Sequence, residues 1–237
     1  MNYELDNELW FLAYEQRDTR YEIRTMFTGL VEETGMIKRV HTAPCYSLEI
    51  MAQKVQEGME PSHSIAVNGV CLTVTSVGKD IFSVEVIPQT LQKTNLSYIR
   101  EGEKVNLERA LLSTGRLGGH MVTGDIDGVG RVAEVFKKKE EVVIQIEPPL
   151  PLMKYIVEQG RITLEGVSLT VASCSETDFR VCLIPFTLNN TTLALKKRDD
   201  LVNLEADIIS KYMDKLIHNS HPHKSRINKE FLKRVGY

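Results

Sequence analysis

The 237-residue sequence predicts an all-β chain of two homologous antiparallel β-barrels, formed by internal duplication and followed by a C-terminal α-helix. Three observations carry this. Residues 65–108 align without a gap to residues 162–205, with 19 identities in 44 positions. Both copies read as short β-branched and aromatic runs broken by turn residues at intervals suited to a small barrel. The last part of the chain switches from a period of two to a helical period.

The elements follow in order. Residues 1–25 lie outside the repeat; either they form an extension or translation begins at Met26. The first copy opens on Thr28-Gly-Leu-Val-Glu-Glu-Thr-Gly-Met-Ile-Lys-Arg-Val40 and the second on Thr123-Gly-Asp-Ile-Asp-Gly-Val-Gly-Arg-Val-Ala-Glu-Val135, an offset of 95. The blocks further on are offset by 97, so two residues are inserted in the second copy. Asn68-Gly-Val-Cys-Leu-Thr-Val74 matches Glu165-Gly-Val-Ser-Leu-Thr-Val171, Ile87-Pro-Gln-Thr-Leu91 matches Ile184-Pro-Phe-Thr-Leu188, and Val105-Asn-Leu-Glu108 matches Val202-Asn-Leu-Glu205. Residues 81–87, 142–147 and 179–184 read as strands. Short helices fit residues 47–56 and 151–159. Residues 207–218 read as a helix with Ile208, Ile209, Tyr212, Met213, Leu216 and Ile217 on one face. That face either packs on its own barrel or joins subunits. The expected units are an extension (1–25), an N-terminal barrel (26–117), a C-terminal barrel (118–206), and a helix with a basic tail (207–237).

Composition removes several function classes. With 29 Lys and Arg against 32 Asp and Glu, the net charge of −3 carries no footprint for nucleic acid. No apolar run approaches the roughly 18 residues of a membrane span. The four cysteines form no C-x-x-C pair and no metal-ligand spacing, which suits reduced thiols and a cytoplasmic location. Dinucleotide, Walker and nucleophile-elbow motifs are absent from the sequence. The His218–His223 cluster offers a metal site or, more simply, a tail.

The chemically loaded position is the substitution of Cys71 in one copy by Ser168 in the other. Strand alternation puts Cys71 on one face with Thr73, and Ser168 with Thr170. That face either fills a barrel interior or opens to a pocket holding a thiol or hydroxyl. Arg116-Leu-Gly-Gly-His-Met-Val-Thr-Gly-Asp125 opens the second copy, and its paired glycines allow close backbone approach beside His120 and Asp125; a tight inter-domain turn with a structural His is the alternative. Glu165, like Lys154 and Asp207, reads by itself as solvated surface.

Together, Met26-Phe-Thr-Gly-Leu-Val, the two Gly-Val-Cys/Ser-Leu-Thr-Val blocks, Thr90-Leu-Gln-Lys-Thr-Asn-Leu96, Gly118-Gly-His-Met-Val-Thr-Gly124, Leu152-Met-Lys-Tyr-Ile156 and Pro185-Phe-Thr-Leu-Asn-Asn-Thr-Thr-Leu193 resemble the riboflavin synthase family of duplicated lumazine-binding barrels, α-chain type, over residues 26–218. The resemblance implies six strands per barrel and a homotrimer joined through the C-terminal helices, with lumazine synthase as a further possible associate. It implies a transferase that dismutates two molecules of 6,7-dimethyl-8-ribityllumazine into riboflavin and a ribitylaminopyrimidinedione, without metal or cofactor. Carried over by motif, Ser64, Cys71, Thr73 and Thr90 line one half-site, with Phe27 packed near it. Ser168, Thr170, Thr187 and Asp207 line the other, and the amino-terminal barrel of one subunit faces the carboxy-terminal barrel of a neighbour. The catalytic candidates are Ser168, Asp207, Cys71 and His120. Two positions depart from the family pattern: Asp125 replaces a common His, and Gln159 replaces a common Lys. His120 and Lys154 then remain as basic groups for proton transfer. A non-catalytic lumazine- or flavin-binding protein of the same fold is the alternative, distinguished by whether the second half-site is retained. The flavin-binding barrel of an oxidoreductase, a more distant rival, would need a nicotinamide-binding domain that the sequence does not contain.

Overall fold

A computed structural model describes residues 26–138 and 141–219. The twelve strands form two closed six-stranded antiparallel barrels of identical topology. The first contains β1 (Glu33–His41), β2 (Ser47–Met51), β3 (Ser64–Val67), β4 (Val70–Val77), β5 (Ile81–Glu85) and β6 (Lys104–Arg109), ordered β1-β2-β5-β4-β3-β6 around the wall. The second contains β7 (Gly128–Lys138), β8 (Glu141–Glu147), β9 (Arg161–Leu164), β10 (Val167–Cys174), β11 (Phe179–Leu183) and β12 (Leu201–Ala206), ordered β7-β8-β11-β10-β9-β12. Even the irregularities are duplicated. Register shifts at Ile37/Arg39 and Val74/Ser76 recur at Val132/Glu134 and Val171/Ser173, where bulges supply the curvature that closes a small barrel.

Alternation fills each barrel. Leu48, Ile50, Ile65, Val67, Phe82, Val84, Val105 and Leu107 occupy the first interior, and Ile144, Ile146, Ile162, Leu164, Phe179, Val181, Val202 and Leu204 the second. Burying each such aliphatic or aromatic side chain contributes roughly 1.5–3 kcal/mol, and closure leaves no open sheet edge.

Two expected helices need correction. Residues 47–56 form no helix. Ser47–Met51 is the strand β2, paired with β1 and β5, with Leu48 and Ile50 turned inward; only Lys54–Gln56 closes a 3₁₀ turn. Pairing to two neighbours outweighs a local spacing that fits either period. Residues 151–159 contribute a 3₁₀ helix, Leu150–Tyr155, preceded by Pro149. The repeated Ile-Pro-x-Thr-Leu motifs, where the sequence pattern assigned no helix, begin α1 (Pro88–Lys93) and α2 (Pro185–Asn190), each with proline at the position where a missing N–H costs nothing.

The barrels meet back to back through their β-hairpins. Asn68-Gly69 and Glu165-Gly166 both have positive φ at both residues, the signature of a type I′ turn. A Cβ on Gly69 would lie 2.7 Å from Gly166 N, and one on Gly166 equally close to Gly69 N, so the two turns touch backbone to backbone. Asn106 Nδ2 donates to Glu165 O at 2.8 Å, and Asn203 Nδ2 donates to Asn68 O at 3.0 Å. Their amide oxygens accept from Thr192 N and Asn95 N, again across the interface. Glu165 is not solvated surface. It is fully buried, with Asn203 N and Asn95 Nδ2 donating to Oε1 and Lys196 Nζ 2.8 Å from Oε2.

The C-terminal helix α3 (Ile208–Asn219) is tied to the second barrel by Lys211 Nζ to Asp127 Oδ2 at 2.5 Å and Lys154 Nζ to Asp214 Oδ2 at 2.6 Å. Its apolar face is not covered by its own barrel: Ile209, Tyr212, Met213, Leu216 and Ile217 are all exposed. No helix among the described residues is long and apolar enough to cross a membrane. Residues 1–25, the basic tail and most of the His218–His223 cluster lie outside the described residues; His218 Nδ1 itself bonds Asp214 O.

Candidate functional site

Cys71 and Ser168 do not fill barrel interiors. Along β4, Val70, Leu72 and Val74 point inward, which turns Cys71 and Thr73 outward; β10 repeats this with Val167, Leu169 and Val171 inward and Ser168 and Thr170 outward. Cys71 and Ser168 each lie under an arm, the segment that opens a repeat. The arms cross. Gly29, from the start of the first repeat, accepts from Ser168 N at 2.8 Å on the second barrel, and Gly124, from the start of the second, accepts from Cys71 N at 3.1 Å on the first. Both glycines have positive φ, and a Cβ on either would lie 2.5 Å from the Cβ of the residue beneath. Only glycine fits there. The arms also pair with each other through a bridge in which Phe27 N donates to Val122 O at 2.7 Å. Phe27 is wholly buried against Val122, Ala66 and Cys71.

The first half-site is a cleft of about 400 Å³, within the size range of small-molecule pockets. It brings together Cys71, Thr90 and Asp125 from the sequence-derived set, and adds Lys93, Ile87 and Asp127. Burial pushes the Cys71 thiol up to about 11, with a hydrogen bond from Ser64 opposing and the Asp125 and Glu205 charges adding to the rise. Cys71 is therefore a neutral thiol at physiological pH, not an activated thiolate. Thr73 is exposed, pairs across the sheet with Ser64 and Glu85, and does not line the cleft.

The second half-site is built differently around the same frame. His120 Nδ1 lies 2.7 Å from Ser168 Oγ, and its Nε2 lies 3.4 Å from Thr163 Oγ1 on β9. His120 is buried, and that burial lowers its pKa; the Asp207 carboxylate partly offsets this and Arg161 adds to it. A neutral imidazole against a hydroxyl is the arrangement that activates an oxygen nucleophile or relays its proton. Asp207 also stands at the start of α3, where its Oδ1 accepts from Ile209 N at 3.0 Å, so its position is set by the helix it caps. By the repeat, Phe186 and Thr187 on α2 take the places of Gln89 and Thr90; Thr187 is half-buried and Phe186, with Ile184 and Leu30, leaves an exposed apolar rim.

Three sequence-derived candidates stand apart from these constellations. Thr170 is exposed and pairs with Arg161. Gln159 is exposed in a turn at φ 63°, its N–H donating to Val171 O. Lys154, left as a basic candidate by the family pattern, is bound to Asp214 with its pKa raised by that contact, so it tethers α3. Residues that the sequence alone did not single out are Thr163 and the glycines Gly29 and Gly124. Both glycines were visible as the invariant second residue of each repeat.

The duplicated barrel with an outward thiol or hydroxyl beneath a crossed arm is the frame of a paired small-molecule-binding protein. The chain belongs to the lumazine binding domain family, whose model matches residues 28–110 and again 123–207. It is 41% identical to riboflavin synthase of Actinobacillus pleuropneumoniae and 40% identical to that of Bacillus subtilis (strain 168), each over 215 residues that cover 90% of this chain and all of the relative. Riboflavin synthase of Schizosaccharomyces pombe is 40% identical over 195 residues, 81% of this chain and 94% of the relative. Among solved structures, LumP complexed with riboflavin superposes at a TM-score of 0.71 and 28% identity, covering 76% of this chain and 99% of LumP. LumP complexed with 6,7-dimethyl-8-(1'-D-ribityl) lumazine superposes at 0.70 and 26%, with the same coverage.

Proposed function

We infer that the chain is a transferase with riboflavin synthase activity, dismutating two molecules of 6,7-dimethyl-8-ribityllumazine into riboflavin and 5-amino-6-ribitylaminopyrimidinedione by four-carbon transfer. The observation that carries catalysis over mere binding is the contact of Ser168 Oγ with His120 Nδ1 at 2.7 Å in a second half-site that also keeps Asp207. One lumazine occupies the Cys71 cleft, where Thr90, Lys93 and Asp125 offer polar contacts to a ribityl chain. The other occupies the Ser168 half-site, where the apolar rim suits a flat heterocycle. Ser168, or a water held by it, adds to the electron-poor ring with His120 taking the proton, and Asp207 stabilises the imidazolium that results. Holding the two rings face to face supplies much of the rate by orientation alone.

The two half-sites of a productive pair come from different subunits of a homotrimer. Support for association is the exposed apolar face of α3, five large side chains that its own barrel leaves bare. The four free cysteines agree with a cytoplasmic setting.

Incubating the full chain with the lumazine alone and following riboflavin by its absorbance tests the reading. Formation of riboflavin with the pyrimidinedione in equal amount is the expected result. Tight lumazine binding without turnover would replace it with the non-catalytic carrier.

A further inference from the structure

The last residue of each repeated Val-Asn-Leu-Glu block is a buried carboxylate that touches neither Cys71 nor Ser168 through any hydrogen bond, yet both carboxylates are spent on the arms. Glu108 Oε1 accepts from Thr28 N at 2.7 Å and from Thr28 Oγ1 at 2.7 Å, and its Oε2 accepts from Gly29 N at 3.0 Å. Glu205 repeats the pattern with Thr123 N at 2.7 Å, Thr123 Oγ1 at 2.8 Å and Gly124 N at 3.0 Å. In each arm the threonine hydroxyl then accepts from the next amide, Leu30 N or Asp125 N, at 3.2 Å. Three atoms of each arm are thus held directly by one side chain and a fourth through the threonine hydroxyl, in a geometry reproduced to within a tenth of an ångström in two copies of different sequence.

The arms cross, so each carboxylate acts on the barrel it does not belong to. Glu108 belongs to β6 of the first barrel, but the glycine it holds lies on Ser168 of the second. Glu205 belongs to β12 of the second barrel, but its glycine lies on Cys71 of the first, and the next residue, Asp125, lines the first cleft. We propose that Glu108 and Glu205 are positioning residues, each ordering the half-site of the opposite barrel by clamping the arm that roofs it. Charge-assisted hydrogen bonds that a buried carboxylate accepts from successive backbone amides are strong and directional, which suits a clamp better than a neutral acceptor would. The groups facing Glu205 are Thr123 and Gly124 of its arm, with Lys211 of α3 as the nearest cation; those facing Glu108 are Thr28, Gly29 and Leu30. The consequence for catalysis, which rests on the synthase reading above, is that each half-site's roof is set from the other barrel.

Glu→Gln at either position keeps volume and burial while replacing one acceptor oxygen by a donor. In the full chain at pH 8, Glu205→Gln is expected to speed amide exchange at Cys71 about tenfold while leaving Ser168 within about twofold, and Glu108→Gln to do the reverse. In turnover, Glu205→Gln is expected to raise KM for the lumazine at least about threefold with kcat nearly held, and Glu108→Gln to lower kcat about tenfold with KM nearly held. Thr123→Val, which removes one arm donor and leaves Glu205 intact, is expected to show the Glu205→Gln exchange pattern more weakly. Exchange that rises equally at both amides, or chiefly at the residue in the carboxylate's own barrel, overturns the proposal. So does a variant with crossed exchange but wild-type kcat and KM. A wild-type chain that binds lumazine without turnover overturns the synthase reading and leaves the exchange measurement to decide the clamp.

Discussion

His120 Nδ1 and Ser168 Oγ are 2.7 Å apart, although 48 residues separate them and they come from different kinds of structure, a loop before β7 and the start of β10. The contact gives the second half-site a hydroxyl with a base. Among the described residues, the first half-site has a thiol in the same place, hydrogen-bonded to Ser64 and with no histidine in the cleft lining.

Ser168→Ala or His120→Ala should therefore lower kcat by about 10²-fold or more, the usual worth of a positioned base or nucleophile. Folding should change little, because neither side chain belongs to a barrel interior. Stopped-flow riboflavin formation and thermal melts check the two halves of this expectation. Loss of turnover only in step with loss of melting temperature would remove the chemical role.

Burial lowers the His120 pKa below its ordinary value of 6.5, so the folded state disfavours the imidazolium. The stability this group contributes is present above the unfolded pKa and is lost as pH falls through 6.5 toward the depressed folded value. Turnover should hold its level through neutrality and decline only on the acid side of 6.5. A limb in kcat centred above 7 and abolished by His120→Gln would contradict it.

A thiol pushed up to about 11 serves as a neutral, polarisable wall of the cleft. Cys71→Ser should retain turnover within about tenfold, a much smaller loss than Ser168→Ala. Since the Asp125 charge adds to the rise, Asp125→Asn should bring the thiol pKa down, read as faster alkylation of Cys71 at pH 8. An unchanged alkylation rate would mean that the carboxylate does not reach the thiol.

Burial raises Glu205 from 4.5 to about 7, winning over the arm donors and the Lys211 charge that lower it. A raised folded pKa means stability that is complete below about 4.5 and is lost as pH rises through about 7. Roughly 2–4 kcal/mol is at stake. Glu205→Gln lacks this slope, so its stability relative to wild type should rise between pH 5 and 8 in denaturant titrations. A constant difference across that range would place the ionised carboxylate at no cost in the fold. The clamp thus trades stability for order in the cleft, as functional sites do.

The exposed face of α3 predicts association. Leu216→Glu with Ile217→Glu should yield monomers by sedimentation, while the barrels keep their melting temperature. If a productive pair spans two subunits, as proposed, turnover should fall as assembly is lost. A fully active monomer would refute shared sites.

The sequence by itself determined the duplicated all-β architecture, since period-two alternation marks the strands and 19 identities in 44 positions leave one fold for both halves. It determined the Cys71/Ser168 asymmetry, the amphipathic face of α3 and the family. It misread residues 47–56, because a short apolar segment fits two periods and only pairing to β1 and β5 selects one. The tertiary structure decided what the polar residues do. Glu165 became a buried interface anchor, Lys154 a helix tether, and Glu108 and Glu205 clamps on crossed arms. Hydrogen-bond partners 31 to 82 residues away set those roles, and local spacing carries no record of them. The same holds for His120 and Ser168: the sequence displays both residues, and the packing of an arm between two barrels makes them a pair.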